Sequence, residues 1–203
     1  GNKVSSSHVV GDLGVEVDEG MNYDAHINKI IGKAYSRIGV FLKGFASRND
    51  RVMKKAYLTY VRPVLEYASS VWSPYLLKHI NAIERVQKYF TRCIPSISHL
   101  SYPERLAAID LEPLELRRLK ADLLLYYKSY HEQSQNVSQT RTGGNRLLRP
   151  MCKTNRYEND FFNRCISCFN SLPSDVVNTI SIYAFKRMLS SCDLSNFIQC
   201  SYL

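Results

Sequence analysis

YVRPVLEYASSVWSPY, residues 60–75, decides how the rest of the chain is read. It holds the single tryptophan of the 203-residue chain, Trp72, and three of its fourteen tyrosines. It also places Pro63 between flanks of helical periodicity. Proline lacks a backbone N–H and its ring meets the carbonyl four residues back, so a helix entering from upstream must stop or kink there. Beyond it a new apolar set, Val64, Leu65, Ala68, Val71 and Trp72, runs to Ser73-Pro74. The stretch reads as an elbow between helices, with Trp72 a core residue at the turn.

Upstream of the elbow, Ile27, Ile30, Ile31, Ala34, Ile38, Phe41, Leu42 and Phe45 keep helical spacing over about five turns. Lys29, Lys33, Arg37 and Lys43 fall off that stripe, and Asn22 or Asp24 can cap its start. Asn49 or Asp50 caps a second helix beginning near Arg51. Its pattern turns Val52, Ala56 and Tyr60 inward and Arg51, Lys54 and Lys55 outward. Earlier still, HVVGDLGVEV, residues 8–17, has strand composition broken by Gly11 and Gly14. Val9, Leu13 and Val15 look built to pack on something that precedes them.

Downstream, a third helix runs from about Leu76 to Ile94, with Ile80, Ile83, Gln87, Phe90 and Ile94 on one face, and Pro95 ends it. SYPE, Ser101–Glu104, is a capping box. Pro113 suits the first turn of the next helix, whose face is Leu116, Leu119, Leu123, Tyr127 and Tyr130. Residues 132–146 are polar with paired glycines, a linker by composition. A short extended segment from Arg146 to Cys152, a helix near 158–170 and one from Ile182 to Leu189 follow. The fold class expected is mainly α. A short β segment (1–20) precedes a helical bundle (21–131), and a smaller helical region (147–203) follows the linker.

The net charge is +9, and the excess is local. Between Lys29 and Arg62 there are nine basic residues and one acid, Asp50; between Ser101 and His131 the count is five against five. A localised basic excess is the usual footprint of phosphate binding. No apolar run approaches the roughly 20 residues of a bilayer span, so no membrane partner is expected. Without a secretory signal, the six cysteines read as reduced thiols of an intracellular protein. Cys165-x-x-Cys168 has no second pair at zinc spacing and lies in a helical pattern, which favours buried hydrophobes over metal ligands.

Chemistry is sparse. No two aspartates are adjacent, so a two-metal polymerase turn is absent from the sequence. No phosphate loop, zinc-protease helix or nucleophile elbow occurs, and the five histidines are scattered. His26 reads as a helix-start or surface residue. No catalytic residue is assigned, and no cofactor or metal is expected to belong to this chain.

Several segments taken in order resemble the downstream part of a non-LTR (LINE-type) retrotransposon reverse transcriptase, closest to the jockey-like group. They are DLGVEVDEGMNYDAHINKIIGKAYSRIG (Asp12–Gly39), the elbow with its Val-Arg-Pro, Leu-Glu-Tyr and Trp-x-Pro, and IERVQKYFTRCI (Ile83–Ile94). YPERLAAIDLEPLELRRLKADLLLYYK (Tyr102–Lys128) and FFNRCISCFNSLPSDVV (Phe161–Val177) followed by AFKRML complete the set. Where the family commonly has tryptophan before Asn-Ser-Leu-Pro, Phe169 stands here, which marks the position as an aromatic core anchor.

The resemblance implies that 1–20 ends a palm, that 21–131 is a helical thumb with following helices, and that the chain, which begins without methionine, is a piece of a longer polypeptide. The palm with its aspartates and Mg2+, and an endonuclease, would lie upstream and be its partners. RNA and DNA as template–primer would be gripped through the backbone by Lys29, Lys33, Arg37, Lys43, Arg51, Lys54 and Lys55, as a group. An active parent would work in the nucleus and in cytoplasmic ribonucleoprotein. The alternative is a helical protein–protein module in which these charges serve only solubility.

Overall fold

The computed structural model describes residues 9–45, 48–134, 147 and 150–199. It is mainly helical, with one two-stranded antiparallel sheet near the N-terminus. One compact unit comprises the described residues up to Glu115 together with Gln199; Leu116–Ile198 form the other.

Strands β1 (Val9–Asp12) and β2 (Val15–Asp18) form a hairpin with Val9 opposite Asp18 and Asp12 opposite Val15. The two turn residues, Leu13 and Gly14, have φ of 45° and 85°. Positive φ at both positions matches the twist of the strands; glycine takes it without strain, whereas leucine does not. The Tyr67 hydroxyl donates to the Leu13 carbonyl at 3.0 Å, so the elbow fixes the turn. Val9 and Leu13 are exposed, Leu13 at 84 %, but Val15 is buried. The expectation that all three await an upstream partner is therefore corrected for Val15, which packs into this unit's own core.

Helix α1 (Asp24–Gly44) buries His26, Ile27, Ile30, Ala34 and Ile38. The His26 ring lies 5.4 Å from that of Trp72, so His26 is a core residue, not a surface one. Burial pushes its pKa below the ordinary histidine value, against the opposing pull of Glu16. Helix α2 (Asp50–Ala56) starts at the Asn49 cap, whose side chain accepts the Arg51 N–H at 3.0 Å. A π turn (Tyr57–Val61) joins it to α3 (Arg62–Glu66). Pro63 thus neither stops the helix nor leaves it regular. Arg62 N–H reaches back five residues to the Tyr57 carbonyl, and this wider turn takes up the residue whose i−4 bond proline cannot support.

That turn also decides which side chains go inward. Met53, Tyr57, Val61 and Leu65 are buried, while Val52 and Tyr60 are exposed. A spacing of four drifts by roughly 40° per step in a regular α-helix of 3.6 residues per turn, and the π turn cancels part of the drift. The expected inward set of Val52, Ala56 and Tyr60 is corrected accordingly, with Ala56 alone retained. The helix ends at Tyr67, and Ala68 adopts a left-handed conformation at φ 52°. Trp72, fully buried in α4 (Ser69–Trp72), donates its indole N–H to the Tyr67 carbonyl at 2.7 Å. The tryptophan is the anchor of the turn, as the sequence indicates.

Helix α5 (Leu77–Arg92) buries Ile80, Ile83, Val86 and Phe90, and with them Glu84, Gln87 and Thr91. Pro95 opens a 3-10 turn (Pro95–Ile97), and α6 (Tyr102–Ala108) follows, with the Glu104 carboxylate accepting the Ser101 N–H at 2.8 Å. The buried polar side chains form one network. The Gln87 amide donates to the Tyr102 hydroxyl (3.1 Å) and the Glu112 carbonyl (3.0 Å) and accepts from the Tyr57 hydroxyl (2.8 Å). Glu84 accepts from Tyr102 and from the N–H of Leu114 at 2.9 Å. Burial first, then Glu84, drives the Tyr102 pKa far above the usual tyrosine range.

Helix α7 (Leu114–Ser134) gives Leu114 and Glu115 to the first unit and the rest to the second. This division falls inside the segment 21–131 drawn from composition. It does so because Leu123, Tyr126 and Tyr127 belong to a separate core with Cys165, Cys168, Phe169, Phe185 and Leu189. Of the linker 132–146, residues 132–134 complete α7 and the remainder lies outside the described residues. Short α8 (Asn155–Glu158), then α9 (Phe161–Ser171), α10 (Ser174–Val177) and α11 (Ile182–Ser191) build this second unit. Phe169 is its buried aromatic anchor, and the neighbouring Asn170 side chain pairs with both backbone groups of Leu147 at 2.9 Å.

Two outcomes test this packing. Gln87→Leu leaves the polar atoms of Tyr57, Tyr102 and Glu112 without their central partner, and each unmade buried bond costs about 1–3 kcal/mol. Chemical denaturation followed by Trp72 emission is expected to show a clear fall in midpoint; an unchanged midpoint contradicts the network's role. In the second unit, burial pushes the Cys168 thiol up to about 12 and Cys165 higher still. Thiol labelling at neutral pH is expected to reach these two only on unfolding, well after Cys152 and Cys192.

Candidate nucleic-acid interface

The seven basic residues singled out by the sequence divide into two groups. Lys29 pairs with Glu16, Lys54 lies 3.3 Å from the Asp110 carboxylate, and Arg37 donates to the Tyr60 carbonyl. These three have work inside the protein: Lys29 ties α1 to the hairpin, and Arg37 ties α1 to the π turn. Lys33, Lys43, Arg51 and Lys55 are exposed and have no ion-pair partner among the described residues. The contacts do not merge the α1 and α2 groups into one unpaired surface.

A second basic surface was legible in the sequence but not read there. Lys78 and Asp24 approach at 3.3 Å, and the rings of Tyr35 and Tyr89 lie 5.5 Å apart. Both pairs are separated by 54 residues (78 − 24 and 89 − 35), so α1 and α5 run parallel and in register. At 100° per residue, Lys78, Arg85, Tyr89 and Arg92 share the side of α5 opposite its buried stripe. Lys88 flanks them, 5.9 Å from the Tyr102 ring. The single acid of α5, Glu84, faces the core. Likewise the only acid of α1 is Asp24 at its first residue, beside Lys78 and His79. The outward side of α5 and all of α1 after its first residue are therefore free of negative charge. The signal lay in applying to α5 the face analysis that α1 received.

Such a surface attracts anions by field rather than by a shaped cavity. Arg85 and Arg92 are exposed and have no hydrogen-bond or ion-pair partner among the described residues, so their guanidinium donors remain available. Phosphate groups suit them, since planar guanidinium donors bind phosphate oxygens in pairs. Among the described residues, no group of three or more histidine, cysteine, aspartate or glutamate side chains is arranged to hold a metal ion. The carboxylates of Glu16 and Asp24 are engaged by Lys29 and by Lys78 and His79. No helix among the described residues is long and apolar enough to cross a membrane.

No protein-family model matches the chain, and no solved structure matches it significantly. An uncharacterized protein of Caenorhabditis elegans, B0403.1, is 28% identical over 121 residues, which cover 58% of this chain. The aligned part spans 61% of that protein's length.

Proposed function

We propose that the chain is the downstream part of a non-LTR-type reverse transcriptase and that its α1–α5 surface holds template–primer through the phosphate backbone. The observation that carries the reading is the sorting of charge on α5: its one carboxylate is buried and four basic side chains, Lys78, Arg85, Lys88 and Arg92, lie on the remaining faces. The ordered motifs from Asp12 to Leu189 support the same assignment. Phosphate contact of this kind supplies affinity without reading base sequence. In a hybrid of A-like form the backbone and shape are the features within reach. Lys33, Lys43, Arg51 and Lys55 are further exposed cations of α1 and α2 outside that surface, while Lys29, Arg37 and Lys54 are engaged within the protein. Polymerisation belongs to an upstream palm with its Mg2+, so the 203-residue chain binds and does not extend primers.

A helical protein–protein module is the second reading. It is favoured for the C-terminal unit by the exposed side chains of Ile180, just before α11, and Tyr183, in its first turn.

Binding of an RNA–DNA hybrid measured by anisotropy separates the two. With four phosphate contacts, affinity is expected to fall about a hundredfold between roughly 50 and 200 mM salt. Arg85→Glu combined with Arg92→Glu should flatten the logarithmic salt slope by about two. Absence of binding at low salt, or affinity indifferent to salt, sinks the proposal and leaves the interaction module.

A further inference from the structure

We infer that Tyr35 and Tyr89 form a stacking platform for an unpaired nucleotide, so that the α1–α5 surface takes single-stranded nucleic acid as well as duplex backbone. The inference rests on the proposal above that this surface meets nucleic acid, and it adds the class of strand that the surface engages.

The two rings come from different helices and remain 37 % and 46 % exposed. Their planes meet at 62°, edge against face, so they form a corner in which one ring face meets the other ring's edge and the remaining faces are not spent on the pair. The buried pairs differ: Tyr57 and Phe90 stack at 19°, and Tyr127 and Phe185 at 14°. Those pairs fill cores, and the exposed pair has no such task. Its setting is also specific. Arg85 stands one turn before Tyr89 and acts electrostatically on Tyr35, and Arg92 follows three residues after Tyr89 on the same side of α5. No acidic side chain lies on either helix near the corner.

Exposed aromatic faces beside the Arg85 and Arg92 guanidinium groups match the two parts of a nucleotide. A base presents a π face to a ring, and its phosphate presents charge to a guanidinium. A duplex conceals its base faces in the stack, so only an unpaired strand uses the rings. An acidic peptide would use the arginines and leave the rings idle.

The test compares a labelled oligothymidylate with an abasic oligonucleotide of the same length, each titrated with the 203-residue chain at low salt. Stacking of one or two bases predicts at least about fivefold tighter binding of the oligothymidylate. Tyr35→Ala with Tyr89→Ala should abolish that preference while leaving abasic binding and Trp72 emission unchanged, and Tyr35→Phe with Tyr89→Phe should retain it. Equal binding of both oligonucleotides, unaffected by the alanine pair, overturns the platform and leaves phosphate binding intact. Failure to bind either one overturns the platform and the underlying function together. Competition by polyglutamate that the alanine pair weakens as much as oligothymidylate binding overturns it in favour of an acidic protein partner.

Discussion

The buried carboxylate of Glu84 is the constraint on which the first unit depends. A carboxylate taken out of water costs several kcal/mol unless hydrogen bonds surround it. Here Tyr102 from α6, Gln87 one turn along α5 and the N–H of Leu114 at the start of α7 converge on it. The last of these places negative charge at a helix N-terminus, where the backbone dipole favours it. Three elements are thereby fixed around one side chain, and Gln87 extends the arrangement to Tyr57 and the π turn.

Burying Glu84 has a consequence on the opposite side of α5. Arg85, its neighbour in sequence, points outward, and the charged residues left on the helix surface are all basic. The same separation holds on α1, whose acid is confined to the first turn. Structure and candidate function are joined at this point: the hydrogen-bond network that orients α5 also orients the guanidinium groups. The elbow contributes from the other end, through Trp72 holding the Tyr67 carbonyl and Tyr67 holding the hairpin turn.

Much of the fold was legible from local signals. The apolar stripe of α1, the strand residues around Gly14 and the Ser101–Glu104 box rest on short-range patterns, while the aromatic anchor at Phe169 was read from the family resemblance. Pro63 was a correct sign of distortion, but a local rule could not select a π turn over a break. The inward face of α2 went wrong because Val52/Ala56/Tyr60 and Met53/Ala56/Tyr57 are equally periodic; the π turn sets the face, and Gln87, thirty residues away, gives the inward Tyr57 hydroxyl its partner. For the candidate site, counting charge along the chain found the lysines of α1 and α2 but passed over α5. Surfaces are assembled from helices distant in sequence, and Tyr35 meets Tyr89 only after folding. Glu84 left one trace: it stands four residues after Ile80 and three before Gln87, within the buried stripe.

Lysine footprinting with and without an RNA–DNA hybrid tests the central claim most directly, because it reads individual side chains on both units at once. The account predicts protection of Lys78 and Lys88 on α5, with Lys153 and Lys186 of the second unit unchanged. Protection confined to Lys153 and Lys186, or none anywhere at a saturating hybrid concentration, would contradict it.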